Sequence, residues 1–205
     1  FVGTGTGLGV DDTTADALLD GTVSLSGRLA RTEAGIRAED FSIANQQVQF
    51  RADGRYASDA ADFDIALDLS DLALVSEEAS GALAVRGSAR LTEAGAPLVL
   101  VLDGQVPSGQ LGRYGLRDAK VGVAATLTDG TINGDVTGSA MLDGHRATLG
   151  MNLVADAERQ ALSDIGFEIA GTRITGDVTR MLESGLLEGR LDVAASDVSL
   201  AAALL

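Results

Sequence analysis

The stretch FDIALDLS, residues 63–70, alternates between apolar and polar positions. Its apolar residues stand at every second place and are Phe63, Ile65, Leu67 and Leu69. The residues between them are Asp64, Ala66 and Asp68. Successive side chains of a strand point to opposite faces, so we expect the first set on one face and the second set on the other. The stretch therefore predicts a β-strand with one apolar and one charged face.

The same period of two recurs along most of the chain. It is clear in VQFRADGRYA, residues 48–57, and it returns in short runs at 23–25, 83–85, 98–102, 121–127, 149–153, 165–169 and 191–193. Turn tripeptides such as TDG at 128–130 and LDG at 142–144 separate the runs, as between the strands of hairpins. Helix signals are faint. We expect an all-β chain of roughly 12 to 15 short antiparallel strands.

Composition narrows the function classes. The 205 residues carry 30 acidic and 15 basic side chains and a net charge of −15, which would repel a nucleic-acid backbone. Hydrophobic residues make up 45% of the chain, too many for a disordered polyanion. The absence of cysteine excludes disulfides, thiolate metal sites and cysteine nucleophiles.

The sequence has no complete motif for nucleotide binding, nucleophilic catalysis or calcium binding. GTGTGLG at 3–9 lacks the glycine spacing of a dinucleotide fingerprint. The single histidine, His145, follows a turn, and the serines near it in sequence lack the context of a nucleophile elbow. DGTINGD at 129–135 offers oxygen ligands but lacks the third acidic position and the terminal glutamate of an EF-hand loop. We expect no enzyme, no cofactor and no metal, with the acidic residues on solvated strand faces.

About a dozen strands with one apolar face each must either pack these faces against one another or line a binding surface with them. Two packed faces would make a sandwich, usually with an aromatic centre, but only 3% of the residues are aromatic. Small residues between Leu, Val and Ile instead favour one long curled sheet (a β-taco), an open groove with an aliphatic concave face. Such a wall suits acyl chains. The predicted groove residues are Leu25, Ile43, Val48, Phe50, Ile65, Leu67, Val85, Leu100, Val123, Leu149, Met151, Phe167, Ile169 and Leu191.

A shift of 126 residues aligns 22–74 with 148–200 without a gap. Phe41 then meets Phe167, and Leu67 meets Val193. One explanation is an internal structural repeat, in which the two segments superpose strand for strand. The other is coincidence, because any even shift of a period-two sequence matches apolar to apolar positions.

Two longer stretches, 63–104 and 166–204, carry a resemblance to a known family. Each contains alternating strands and a short motif of the type D-L-S-x-L. The motif is DLSDL at 68–72 in the first stretch. In the second stretch it is ASDVSL at 195–200, where Ala-Ser replaces Leu-Ser. The pattern G-x-L-x-x-x-G follows the first motif at 81–87. In this pattern the chain resembles, from about Leu19 onward, the repeats of TamB, the translocation and assembly module inner-membrane subunit, in the AsmA-like group.

The resemblance implies a location and partners. Such proteins are anchored in the inner membrane of Gram-negative bacteria and cross the periplasm as a β-groove. They serve outer-membrane protein assembly with an Omp85-type outer-membrane barrel partner, and phospholipid traffic between the membranes. The chain, residues 1–205, is expected to be one internal groove segment of a longer protein.

Two functional hypotheses follow. The first is a non-enzymatic conduit that shields phospholipid acyl chains or unfolded outer-membrane protein strands, and the sequence does not decide between these cargoes. The second is a structural or adhesive β-solenoid or sandwich module of a secreted surface protein, stabilised by calcium at its acidic residues.

Overall fold

The computed structural model describes residues 1–6, 18–32, 35–57 and 59–196. In this part of the chain it contains one sheet of 14 strands. The strands are β1 Val2–Thr6, β2 Thr22–Thr32, β3 Gly35–Ala44, β4 Val48–Ala57, β5 Ala60–Leu69, β6 Ala79–Ser80, β7 Leu83–Leu91, β8 Leu98–Leu111, β9 Tyr114–Thr128, β10 Thr131–Leu142, β11 His145–Ala155, β12 Arg159–Ile169, β13 Thr172–Met181 and β14 Leu187–Ala195. A short 3₁₀ helix, Leu72–Leu74, follows β5.

The strands pair in chain order from β1 to β5 and from β7 to β14, all antiparallel, with β7 next to β5. The two-residue strand β6 lies off this path and pairs with β8. The sheet does not close on itself, because β1 and β14 are its two edges. The predicted all-β fold, a long curled open sheet with an aliphatic concave face, is confirmed.

Asp-Gly turns join the long central strands. Asp129 and Gly130 have φ of 50° and 78°, and Asp143 and Gly144 have φ of 46° and 83°. Two consecutive positive φ values are typical of the tight hairpin turn that matches strand twist, and Asp and Gly adopt them at low cost. The turn tripeptides at 128–130 and 142–144 therefore mark real hairpins, whereas ADG at 52–54, which also predicted a turn, lies inside β4.

The strand register separates two faces. On the first, which we call the apolar face, Leu67 lies opposite Phe50 on one side and Val85 on the other. On the second, the polar face, Asp64 lies opposite Asp53 and Ser88. Paired residues share a face, and neighbours along a strand do not. The face assignment predicted for FDIALDLS is therefore confirmed.

Three strands carry a bulge at an aspartate. Asp40 in β3, Asp118 in β9 and Asp164 in β12 have φ between 49° and 51°, and the register shifts at each position. Each aspartate has an apolar residue two places before it and one directly after it, as in LSDI at 162–165. A bulge adds one residue to its strand, bends it and increases the local twist. The three bulges therefore contribute to the curl of the sheet.

A cluster of buried residues lies along one rim of the sheet and consists of Val106, Leu116, Leu142, Ala147 and Ile169. Buried alanines also lie away from this rim, among them Ala52 and Ala125. The residues of the cluster stand near the strand ends that the hairpins at 112–113, 143–144 and 170–171 connect. We call this side the closed rim, and we call the opposite strand ends, joined by the turns at 129–130 and 156–158, the open rim.

The segment between β5 and β7 covers part of the closed rim. Leu72 of the 3₁₀ helix packs against the buried cluster. The Asp71 carboxylate accepts backbone N–H groups from Ala73 at 3.1 Å and Gly81 at 2.8 Å. These two hydrogen bonds hold the pKa of Asp71 below its usual value. One charged group thus fixes both ends of the segment that covers this rim.

The bulges allow a geometric comparison of 22–74 with 148–200, of which residues 33–34, Ser58 and residues 197–200 lie outside the described residues. Leu25, Ile43, Phe50 and Leu67 form one cross-strand row, and Leu149, Phe167, Ile174 and Val193 form another. Leu67 and Val193 therefore occupy like places, whereas Phe167 corresponds to Ile43 and not to Phe41. The bulges at Asp40 and Asp164 lie 124 residues apart, whereas the sequence alignment used a shift of 126. The internal repeat stays a prediction, and its alignment over the bulged strands changes to a shift of 124.

Candidate functional site

The register places the predicted groove residues on a single face. Pairings carry this face from Leu25 in β2 to Phe50 and Val85, and onward to Leu149 and Phe167. All fourteen predicted groove residues lie on the apolar face, and they are Leu25, Ile43, Val48, Phe50, Ile65, Leu67, Val85, Leu100, Val123, Leu149, Met151, Phe167, Ile169 and Leu191. An aliphatic surface thus runs across the sheet from β2 to β14.

The exposure of these residues is uneven. Val48 and Ile169 are only 7% and 3% exposed and belong to the closed rim. Leu191 in the edge strand β14 is 53% exposed, and the other residues of the set are half-buried. A second packed layer would bury a sheet face as it buries the core of a sandwich. In the described part of the chain the apolar face has no such layer, so most of its width is accessible.

Glycines lower the middle of this face. The cross-strand row from Val85 runs through Gly104, Val121 and Gly138 to Leu149. A Cβ on Gly104 would have its nearest neighbour at 3.7 Å, and one on Gly138 at 3.4 Å, so neither glycine is required by a close backbone approach. Val121 between them is exposed. The row is therefore lower at two positions, because one glycine without a side chain lies on each side of Val121.

The predicted groove set leaves out part of the apolar face. Phe41 contacts Phe1 and Phe50 edge-on, with ring centroids 6.4 and 6.5 Å apart, at the end of the sheet formed by β1 to β4. Further residues share the face by register and are Phe63, Leu102, Val136, Leu153, Leu162, Ile165, Ile174, Val178 and Val193. The alternation signal was present for most of them. Leu162 was hidden because the bulge at Asp164 shifts the parity of β12.

The polar face carries ion pairs between neighbouring strands. Arg90 in β7 contacts Asp62 at 2.8 Å and Asp64 at 2.6 Å, and Arg86 contacts Asp68 at 2.7 Å. Such exposed pairs contribute little to stability. They do keep the polar face charged, which disfavours packing of a second apolar layer on that side.

Residues considered for other chemistry are dispersed. His145 begins β11 at an exposed turn, and Asp129 and Asp135 lie in a hairpin turn and in β10. Gly7, Leu8 and Gly9 of the glycine-rich stretch lie outside the described residues. Across the described ranges no group of three or more His, Cys, Asp or Glu side chains could hold a metal ion. In the same ranges no helix has the length and apolarity to span a membrane.

Surface depressions lie mainly on the polar face. One of about 440 Å³ is lined by residues such as Val99, Ala124 and Asn133, and one of about 260 Å³ by Asp103 and Lys120 among others. The apolar face is instead an open strip. It resembles a surface for long flexible apolar molecules more than a pocket for one compact ligand.

Comparisons of the chain with protein-family models, with curated proteins and with solved structures find no match. The fold and the site define a single curled antiparallel sheet with an accessible aliphatic face. The resemblance to the TamB repeats thus stays a prediction.

Proposed function

We propose that this chain is a non-enzymatic groove segment that shields hydrophobic cargo, either phospholipid acyl chains or unfolded outer-membrane protein strands. The observation that carries the proposal is the continuous aliphatic face of one open sheet, which is half-buried and accessible along most of its length. Contiguous apolar surface of this extent on a charged protein is typical of an interaction site.

The dimensions suit long molecules. Thirteen strands in series, at about 4.8 Å each, give a strip about 60 Å long. Each methylene group buried on it would contribute about 0.8 kcal/mol. An acyl chain needs no hydrogen bonds, whereas an extended polypeptide would bring backbone N–H and C=O groups that need partners. The unpaired edges of β1 and β14 are the places where the described sheet could supply them.

The wider setting is part of the same proposal. We place the segment in the periplasm of a Gram-negative bacterium, within a longer protein anchored in the inner membrane that acts with an Omp85-type outer-membrane barrel. The pattern resemblance of residues 63–104 and 166–204 to TamB repeats supports this setting.

Photocrosslinking in cells tests the proposal. A photoreactive amino acid at Leu67 or Ile65 lies on the apolar face. One at Asp64, whose side chain is 74% exposed, lies on the polar face. Ile169 is unsuitable because it lies in the buried cluster. We expect adducts at Leu67 and Ile65 and few at Asp64, with mass spectrometry identifying the cargo as lipid or polypeptide. Equal labelling on both faces, or none on either, would overturn the conduit and leave a structural β-module.

A further inference from the structure

The last strand of the described sheet, β14, has one free side. β13 pairs with its other side, and in the described part of the chain no further strand pairs with it. Natural edge strands are often short, bulged, or protected by lysine or proline. β14 has nine residues, pairs with β13 without a register shift and contains neither lysine nor proline. It therefore lacks the usual protection of an edge strand.

The pairing with β13 shows which backbone groups lie on the free side. The N–H of Met181 donates to the carbonyl oxygen of Leu186 at 2.9 Å, and the N–H of Ser196 donates to that of Gly171 at 3.1 Å. Residues 186 and 196 thus direct their backbone groups toward β13, and in a regular antiparallel ladder every second residue between them does the same. The odd-numbered residues direct theirs outward, and these are Leu187, Gly189, Leu191, Val193 and Ala195.

The side chains of β14 are exposed on both faces. On the apolar face, Leu187, Leu191 and Val193 are 66%, 53% and 56% exposed. On the polar face, the Arg190 guanidinium contacts the Asp192 carboxylate of the same strand at 2.8 Å, and both side chains are mostly exposed. A long edge with unpaired backbone groups and exposed apolar residues is a template for another strand.

The order of charges along β14 is self-complementary. When two copies of the strand are paired antiparallel with Leu191 opposite Leu191, Arg190 of each copy lies opposite Asp192 of the other. Opposite charges in such cross-strand pairs stabilise a sheet. Both residues direct their backbone groups toward β13, so the new pairs are of the non-hydrogen-bonded kind, in which side chains approach most closely. Each arginine would then have one aspartate along its own strand and one across the interface.

The outward backbone groups fit the same register. Gly189 lies opposite Val193 of the second copy, and the first outward residue of one copy lies opposite the last of the other, so every outward group has a partner. Moving the two-fold axis to Arg190 or Asp192 would place like charges opposite each other, which destabilises a sheet. Moving it to Gly189 or Val193 would leave two outward residues of each strand without a partner in β14. The charges and the hydrogen bonds therefore favour one register.

We propose that two copies of this chain associate through β14, paired antiparallel about a two-fold axis at Leu191. Paired residues share a face, so the apolar face of one copy continues into that of the other. The contact is isologous, as in most homodimers. One strand from each copy makes a small interface, and we expect a dimer that dissociates in the micromolar range. The inference goes beyond the proposed function and does not depend on any cargo.

Sedimentation velocity of the full chain tests the dimer. Wild type should change from a monomer of 20.8 kDa to a dimer as its concentration rises. Arg190→Asp places aspartate opposite Asp192 of the second copy, and Asp192→Arg places arginine opposite Arg190. Each variant alone should dimerise at least about tenfold more weakly, because two attractive pairs become repulsive. An equimolar mixture of the two variants restores both opposite-charge pairs and should form a heterodimer at least as tight as the wild-type dimer.

The matched control is Arg37→Glu in β3, which is an interior strand. It makes the same change in net charge as Arg190→Asp, and it also alters an ion pair within one strand, that of Arg37 with Glu39 at 2.9 Å. It should dimerise like wild type. All variants should keep the circular dichroism spectrum of wild type, because the altered side chains are exposed.

Three results would overturn the proposal. They are a wild type that stays monomeric at every concentration, a dimer that the β14 variants leave unchanged, and β14 variants that do not associate when mixed. The crosslinking of cargo at Leu67 is independent of these results. Cargo adducts on a monomeric protein would support the groove and refute the dimer, whereas a dimer without adducts would support the β14 contact and refute the groove.

Discussion

The carboxylate of Asp177 in β13 accepts the backbone N–H of Asp164 in β12 at 2.9 Å. Asp164 is the bulge residue of its strand and has φ of 51°. In β3 and β4 the same relationship joins Asp40 to Asp53, at 2.6 Å. A bulge removes one backbone group from the ladder, and a carboxylate on the next strand restores its hydrogen bond. The same hydrogen bond, from the backbone N–H of a bulge residue to an aspartate carboxylate on the next strand, thus stabilises two of the bulges.

We expect Asp177→Ala to destabilise the protein by about 1 kcal/mol, because the Asp164 N–H loses a charged acceptor. Asp177→Asn keeps an acceptor oxygen at the same place and should lose less. The measurement is the free energy of unfolding in urea. Equal stability of the alanine variant and the wild type would show that the capping bond contributes nothing.

The bulges also explain what the sequence could predict. Alternation correctly assigned the faces of Phe63 to Leu69 because β5 pairs with β4 and β7 without a register shift. In β12, Leu162 and Ile165 are three residues apart and still share the apolar face, because the extra residue at Asp164 reverses the parity. A single-sequence reading of period two cannot locate such an insertion when the residues around it are also apolar.

Other features depend on contacts far apart in the chain. Ile169 looked like any groove residue, but the rim that contains Val106 and Leu116 buries it. Arg37 and Arg55 become neighbours only through the β3–β4 register, which the bulge at Asp40 adjusts. Local pattern fixes which face a residue occupies, whereas burial and charge clustering depend on how strands align across the sheet.

Gly176→Ala should destabilise the protein by more than about 2 kcal/mol, because a Cβ there meets both backbone strain and a clash. Gly176 has φ of 148°, and the added Cβ would lie 2.0 Å from the carbonyl oxygen of Arg190. Gly150→Ala is the matched control, since a Cβ at Gly150 has nothing within 4 Å. We expect the control to be neutral or slightly stabilising in the same urea titration. Equal effects of the two substitutions would contradict the close approach of β13 and β14.

The stability of the segment over the closed rim should depend on pH through Asp71. Its pKa is lowered from 3.8, chiefly by the N–H of Ala73 and then by that of Gly81. A carboxylate with a depressed folded-state pKa stabilises above its unfolded value, and this contribution is lost as the pH falls through the folded value. Hydrogen exchange at Gly81 should therefore rise below pH 3.8 in wild type beyond the general acid effect. Asp71→Asn should remove this step, and an identical profile in both proteins would exclude the mechanism.

Thr172→Val should leave the protein as stable as wild type or stabilise it by about 1 kcal/mol. Thr172 is 6% exposed, and its hydroxyl is buried without a hydrogen-bond partner in the described structure. Valine has nearly the same shape and removes the unpaired polar group. A loss of stability in thermal unfolding would show that the hydroxyl has a partner.

Truncations along the apolar face should separate folding from cargo binding. Ile169→Ala at the closed rim should cost about 2 to 4 kcal/mol, because it opens a cavity among Val106, Leu142 and Ala147. Leu191→Ala should cost less than about 0.5 kcal/mol, since Leu191 is 53% exposed and already in contact with water. Leu67, which is half-buried, should fall between them. If the sheet closed around its apolar face, all three substitutions would cost about the same. Urea unfolding should therefore give a graded series of losses. Leu67→Arg should abolish the binding of a hydrophobic dye by the folded protein. Together these two results would establish that the closed rim stabilises the fold while the rest of the apolar face stays free for cargo.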